Sequence, residues 1–260
     1  MKMCSGYKDL ILQLFEEGDL WEQLGLAKNE ELFFNKTEDS GLQEQEIKNS
    51  ECYFSIPLKN DIEDLTDKFN ELKDKDIKVD NDSNCYGDMN KKVAVGGYGI
   101  VDDTTLGKSK RCNKKRYKDT IFHSGHILAQ RLFRGVTKGI CLNCNNENNI
   151  YPQTELSNRA SEYGGKFSID NQTYYESFLE RKVLKTGKKY FYRAKLVYGK
   201  DESEIVPRGI RLQAVEVKEG DSGMYMDKNK ILFNVFIPNI FKDFLPNYKK
   251  ITLIGELEKI

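Results

Sequence analysis

Apolar positions in the first 75 residues recur at helical spacing. Leu10, Ile11, Leu14 and Phe15 form one stripe and Leu20, Trp21, Leu24 and Leu26 the next, with Gly18 as punctuation. The pattern predicts two short amphipathic helices within residues 5–34. Residues 36–52 are polar, lack a clear period and break at Ser40-Gly41. Ile62, Leu65, Phe69 and Leu72 then return at helical spacing on an acidic background, which predicts a surface helix over 61–75. Asp, Asn, Ser and Gly crowd residues 76–90 and mark a domain boundary.

Beyond that boundary the period shortens. Val93, Val95, Tyr98 and Ile100, with glycines between them, predict a strand or hairpin edge, and Thr120 to Phe122 a further strand. Helices are expected over 154–163 and 174–184, the second packing through Tyr175, Phe178 and Leu179. Residues 190–199, 209–217, 231–237 and 250–256 alternate as antiparallel strands, with Asp227-Lys228-Asn229 as the turn before the third of them. The fold class is α+β. Residues 1–85 read as an acidic, mainly helical N-terminal extension and 86–260 as the main domain.

Composition places the chain among folded proteins, at 38% hydrophobic and 11% aromatic residues. The formal net charge of zero conceals a division. Residues 1–88 carry 10 Lys plus Arg against 22 Asp plus Glu, whereas residues 89–260 carry 31 against 19. A basic domain suits a polyanion, because neutralised phosphates release counterions. The run 108–118 holds seven basic residues in eleven, among them Lys114, Lys115 and Arg116, and would follow a phosphate backbone without reading bases. The acidic arm either packs on the main domain as a plain extension, or docks on its basic groove as a polyanion mimic or recruits a partner.

No stretch has the form of a Sec signal peptide and none is long and apolar enough to span a membrane. The expectation is a cytoplasmic chain, or one exported by a non-Sec route. The six cysteines do not form a disulfide scaffold in a chain of this length. Cys141 and Cys144 have zinc-knuckle spacing, and Cys85 and Cys112 would complete a structural zinc site, which would make the chain a zinc-stabilised interaction module.

The chemistry concentrates at 120–159, which contains both histidines of the chain, His123 and His126. His126 follows Gly125, where a missing side chain allows close approach. On an extended strand the two histidines, three apart, face opposite sides, whereas on a helix they share a face and could ligate a metal. Asn149, Gln153 and Asn158 follow, the first two on one face if that turn is helical. A histidine able to take a proton near neutral pH, beside neutral oxygen donors for a hard cation, suits metal-assisted attack of water on a phosphodiester.

The run His-Ser-Gly-His-Ile-Leu-Ala at 123–129, Asn-x3-Gln-Thr-x3-Asn at 149–158 and Tyr-Tyr-Glu at 174–176 resembles the DNA/RNA non-specific endonucleases of the ββα-metal, or His-Me finger, type. The likeness is to the DNA-entry nucleases, streptodornases and type VII secretion-associated nuclease toxins, and covers roughly residues 85–245. Residues 192–198, 204–210 and 233–239 look like the same family's closing strands. The resemblance implies a ββα-metal core with an antiparallel sheet and flanking helices, Mg²⁺-dependent cleavage of DNA and RNA, with Mn²⁺ able to substitute, and 5′-phosphate products.

By the same resemblance His126 stands at the general base and Asn158 at the single protein ligand of Mg²⁺. Asn149 and Gln153 match positions that orient the histidine or phosphate, and Glu176 an acidic residue near the hydrated metal. The same likeness makes an immunity protein or a secretion partner a candidate beside the nucleic acid, and the lack of a long apolar run leaves no membrane contact expected. Three departures stand out. His123-Ser124 replaces the family's Asp-Arg before Gly-His, Glu180 stands where the family has arginine, and Arg159 follows Asn158 in place of glutamine. Arg131, Arg134 and Arg159 are the candidates to supply the missing phosphate contact. The altered residues also fit a degenerate member that binds nucleic acid or regulates a relative without cleaving.

Overall fold

The computed structural model of the chain describes residues 2–3, 7–26, 28, 52–53, 55–58, 63–72, 77–80, 95–107, 117–135, 149–159 and 170–259. Of the expected boundary 76–90, residues 77–80 form a strand and 81–90 lie outside the described residues, as do most of the basic run 108–118 with Lys114, Lys115 and Arg116, and Cys85, Cys112, Cys141 and Cys144.

In chain order the elements are β1 (Lys2–Met3), α1 (Lys8–Gly18), α2 (Leu20–Gln23), β2 (Cys52–Tyr53), β3 (Ile56–Pro57), α3 (Glu63–Asn70), β4 (Ile77–Asp80) and β5 (Gly96–Val101). There follow β6 (His123–His126), α4 (Gln130–Phe133), β7 (Ile150–Gln153), α5 (Glu155–Asn158), α6 (Gln172–Thr186), β8 (Lys189–Val197), β9 (Gly209–Gly220) and β10 (Gly223–Pro238), and the chain closes on a 3-10 helix, Ile254–Lys259. Six strands form an antiparallel sheet in the order β3-β10-β9-β8-β5-β4. β6 and β7 pair apart from it as a two-stranded antiparallel ladder, and β1 pairs with β2 in parallel.

Alternation along each strand supplies two apolar faces. On β8, Tyr192 and Ala194 join the larger core with Tyr175, Phe178, Leu179 and Val183 of α6, while Phe191 turns to the other side. There Leu65 and Phe69 of α3 cover Tyr98, Val215 and Val217, with the Phe69 and Phe191 rings 5.6 Å apart, edge to face. A helix on each side therefore closes a sheet that could not bury both faces alone.

The N-terminal part is not only helical, because β3 and β4 form the two outer strands of the six-stranded sheet. Phe15 of α1 packs edge-on against Phe236 of β10 at 5.6 Å. Arg208, buried beside Glu204 at 2.6 Å, donates to the carbonyl of Leu14 and lies over the Tyr248 ring. Residues on both sides of position 86 thus share one core. No helix among the described residues is long and apolar enough to cross a membrane.

Two local expectations give way. Asp227-Lys228-Asn229 does not reverse the chain; the hairpin turns at Asp221-Ser222, where Gly223 takes φ +106°, a value open to glycine and strained for other residues. Residues 227–230 instead interrupt the register inside β10 between Met226 and Ile231, with the Asn229 N–H donating to the Asp227 carboxylate. The segment 250–256 is not a sheet strand: it makes one bridge, Leu253 to Thr120, before the 3-10 helix. Its apolar alternation reflects docking against the chain entering β6.

Candidate functional site

β6 begins at His123, not at Thr120, and runs antiparallel to β7 with His123 opposite Gln153, Gly125 opposite Tyr151 and His126 opposite Ile150. Gln153 therefore sits at the end of an extended strand, with Asn149 on the residue that precedes it, so the two do not share the face of one helical turn. The pleat puts His123 and Gly125 on one side of β6 and Ser124 and His126 on the other, as the extended reading requires. Gly125 has a packing reason. A Cβ there would meet Gln153 Oε1 at 2.2 Å and Gln153 Cβ at 2.7 Å, so only glycine lets the glutamine lie against the strand.

His126 is held by its main chain on several sides. The Ile127 N–H donates to the Asn149 carbonyl at 3.0 Å, and the Asn149 carboxamide accepts from Leu128 N–H at 2.8 Å and donates to the Leu128 carbonyl at 3.0 Å. Asn149 thus fixes the turn that follows the histidine, and it touches no imidazole atom. The His126 side chain is partly exposed, but its Nε2 is buried and has no hydrogen-bond partner among the described residues. Burial lowers its pKa below the ordinary imidazole value, so the ring is neutral near pH 7.

α6 carries the candidate acid, Glu176. It starts because Asn171 accepts a bond from the Tyr174 N–H at 3.0 Å, and it ends at Gly187, in the left-handed region, whose N–H reaches the Val183 carbonyl at 2.8 Å. It carries Gln172, in its first turn, and Glu176, one turn further on, inward, both buried. Burial pushes the Glu176 carboxyl up to about 8, against the opposing effects of a Gln172 hydrogen bond at 2.7 Å, the Arg131 charge and Tyr192. Below that pH the group is a neutral acid. The Gln172 carboxamide also donates to the His126 carbonyl at 2.6 Å and accepts from Gln153 at 2.9 Å and from the Tyr151 hydroxyl at 2.7 Å. Sequence reasoning missed Gln172; the only signal available was its place one helical turn before Glu176.

α5 follows β7 directly and lies against β6 and α6. Thr154 caps it by accepting from the Ser157 N–H, and Glu155–Asn158 are helical; residues 160–163 of the expected helix lie outside the described residues. Asn158, at its end, is partly exposed, and among the described residues its carboxamide makes no hydrogen bond. Asn149 and Gln172 have committed theirs. One uncommitted neutral oxygen suits a hydrated hard cation such as Mg²⁺, which keeps most of its waters. Among the described residues no three His, Cys, Asp or Glu side chains gather as a metal cage.

The arginines are dispersed. Arg131 of α4 donates to Ser177 and lies 3.6 Å from Glu180, both on α6, and its charge also reaches Glu176. Arg159 pairs with Glu155 at 3.6 Å, and Glu155 lies 3.9 Å from His123 on the other side. Arg134 is exposed and packs its stem over Gly107.

No protein-family model matches the chain, and no curated protein does. Among solved structures it is similar to NucA of Streptococcus agalactiae, determined with no metal and with a magnesium ion bound. In both the identity is 24% and the TM-score 0.49, over 68% of this chain and 77% of that one. An extracellular endonuclease matches at 18% identity and TM-score 0.48 over 68% and 84% of the two chains. The Sda1 nuclease, with bound zinc, matches at 16% and 0.46 over 68% and 79%. Similarity at this level concerns the path of the chain and assigns no role to any residue.

Proposed function

We propose that the chain is a metal-dependent endonuclease that hydrolyses DNA and RNA phosphodiesters without sequence preference, with His126 as general base and the ββα-metal arrangement formed by β6, β7 and α5. The observation that carries the reading is His126 itself, a partly exposed and neutral imidazole whose buried Nε2 has no hydrogen-bond partner among the described residues, on a strand whose main chain is held by Asn149 and Gln172. Such a ring can take a proton from water at neutral pH and return it to solvent.

Asn158 is the residue that would hold Mg²⁺ or Mn²⁺. When bound, the ion offsets charge developing on phosphorus and the departing 3′ oxygen, leaving 5′-phosphate products. Arg131 lies 3.6 Å from Glu180, the position where the family has arginine, so a guanidinium from α4 offsets the carboxylate there and is the candidate to reach the phosphate from that side of α6. Glu176, neutral below about pH 8, gives the base a neighbour that adds no second negative charge next to the substrate phosphate.

The test is incubation of supercoiled plasmid with Mg²⁺, beside an EDTA control and His126→Ala. Wild type is expected to nick and then degrade the plasmid, and the variant to lose roughly 10²–10⁴-fold in rate, the contribution of a general base. Activity should rise with pH through a midpoint below the ordinary imidazole value, because the lowered His126 pKa leaves the free base available earlier. Plasmid that is retarded on a gel and never cut would establish the non-cleaving reading that the lost Asp-Arg pair favours.

A further inference from the structure

Gln172 has a full complement of bonds. A carboxamide has two N–H donors and one oxygen with two lone pairs. Its Nε2 donates to the His126 carbonyl at 2.6 Å and to Glu176 Oε1 at 2.7 Å; its Oε1 accepts from the Tyr151 hydroxyl at 2.7 Å and from Gln153 Nε2 at 2.9 Å. The His126 carbonyl can only accept, so the orientation of the amide is determined. The side chain is 2% exposed, and its partners Tyr151, Gln153 and Glu176 are buried with it.

We propose that Gln172 is the positioning residue of His126, tying the strand that carries the base to the first turn of α6 and fixing the base relative to Glu176. The proposal rests on His126 being the base. Gly125, seated against Gln153, and Asn149 hold the chain on either side of His126, but neither bonds the histidine's own carbonyl; Gln172 does, from a helix 46 residues away. No shorter or apolar side chain reproduces this. Asparagine is one methylene short, methionine has no donor, and glutamate would set a second carboxylate beside Glu176 and the carbonyl. A base displaced by about 1 Å loses on the order of 10²-fold in rate, so a clamp of this kind acts on catalysis without touching substrate.

The variant Gln172→Met keeps the side-chain volume and the helix while removing every polar bond. For folded variant protein we expect kcat to fall roughly 10–100-fold with KM for plasmid within about twofold of wild type. The chain has only two histidines, so proton NMR follows His126 directly, with a His123 variant to assign the signals. In Gln172→Met its titration should move up toward the ordinary imidazole value as the released strand lets water reach the ring. Tyr151→Phe, which removes one of the bonds that orient the amide and keeps the ring, should shift both readouts the same way by less. Unchanged kcat and unchanged His126 titration in both variants would overturn the proposal, even if stability fell. If wild-type protein cuts no plasmid, the endonuclease reading fails on its own, and the NMR titration still decides whether Gln172 holds His126.

Discussion

Phe233 in the large sheet and Gln172 beside the small one are both fully enclosed, yet what encloses them differs. Phe233 is surrounded by rings, with Tyr175 at 5.1 Å and Phe178 and Tyr192 each at 6.5 Å. Gln172 is surrounded by hydrogen-bonding groups, and so are Asn149 and Gln153. The sheet region is held by apolar area removed from water, which is non-directional and tolerates exchange of similar volumes. The hairpin region is held by directional bonds, and losing one is costly because a buried polar group left without a partner costs more than the bond itself contributes; Gln153 Oε1 and His126 Nε2 are the buried atoms there without a partner among the described residues. One region supplies stability and the other geometry, and substitutions should separate them.

The largest effect on folding should come from the sheet. Phe233→Ala is expected to cost about 3–5 kcal/mol in chemical denaturation, through lost transfer energy and the cavity left among three rings, while activity per folded molecule stays near wild type. Gly125→Ala reverses the emphasis: its methyl would lie 2.2 Å from Gln153 Oε1 and must displace that glutamine, so roughly 1–3 kcal/mol of overpacking should accompany a much larger loss of cleavage. If Gly125→Ala cleaves plasmid as wild type does, the hairpin is not where geometry matters. Asn149→Ala leaves the Leu128 amide and carbonyl unpaired, and about 1–3 kcal/mol is expected in the same assay, with activity falling as the turn after His126 loosens.

The last effect is a slope against pH and not a loss at one pH. The Glu176 carboxyl titrates at about 8 in the folded chain against 4.5 ordinarily, so the folded state holds the extra proton. Its contribution to stability is complete below about pH 4.5 and declines as pH rises towards 8. Glu176→Gln removes that proton exchange and should flatten melting temperature against pH over this window. A slope identical to wild type would show that Glu176 is ionised throughout.

Much of the main chain could be read from periodicity and capping. Tyr175, Phe178 and Leu179 at helical spacing announce α6, which extends two residues beyond the expected limits at each end, from Gln172 to Thr186, between its caps Asn171 and Gly187. β8 and β9 follow from alternation within a residue or so of the expected starts. Alternation also misled at 250–256, where apolar residues dock on the turn before β6 without joining a sheet, and turn chemistry misled at 227–229, where Asp and Asn shape a bulge. In both places the local pattern permits two structures, and contacts from distant residues choose between them.

The sequence by itself determined where the candidate site residues gather: two histidines in 260 residues, a glycine before the second, and the carboxamides that follow at short range. It also determined the apolar faces of the helices and long strands, because those depend on spacing along one segment. Only the tertiary structure decided which carboxamides are already committed and which is left uncommitted. It also decided that Arg131 answers Glu180 across 49 positions and that Gln172 holds the carbonyl of His126. The physical reason is that burial and hydrogen bonding are properties of neighbours in space, and no period along the chain records which side chains those will be.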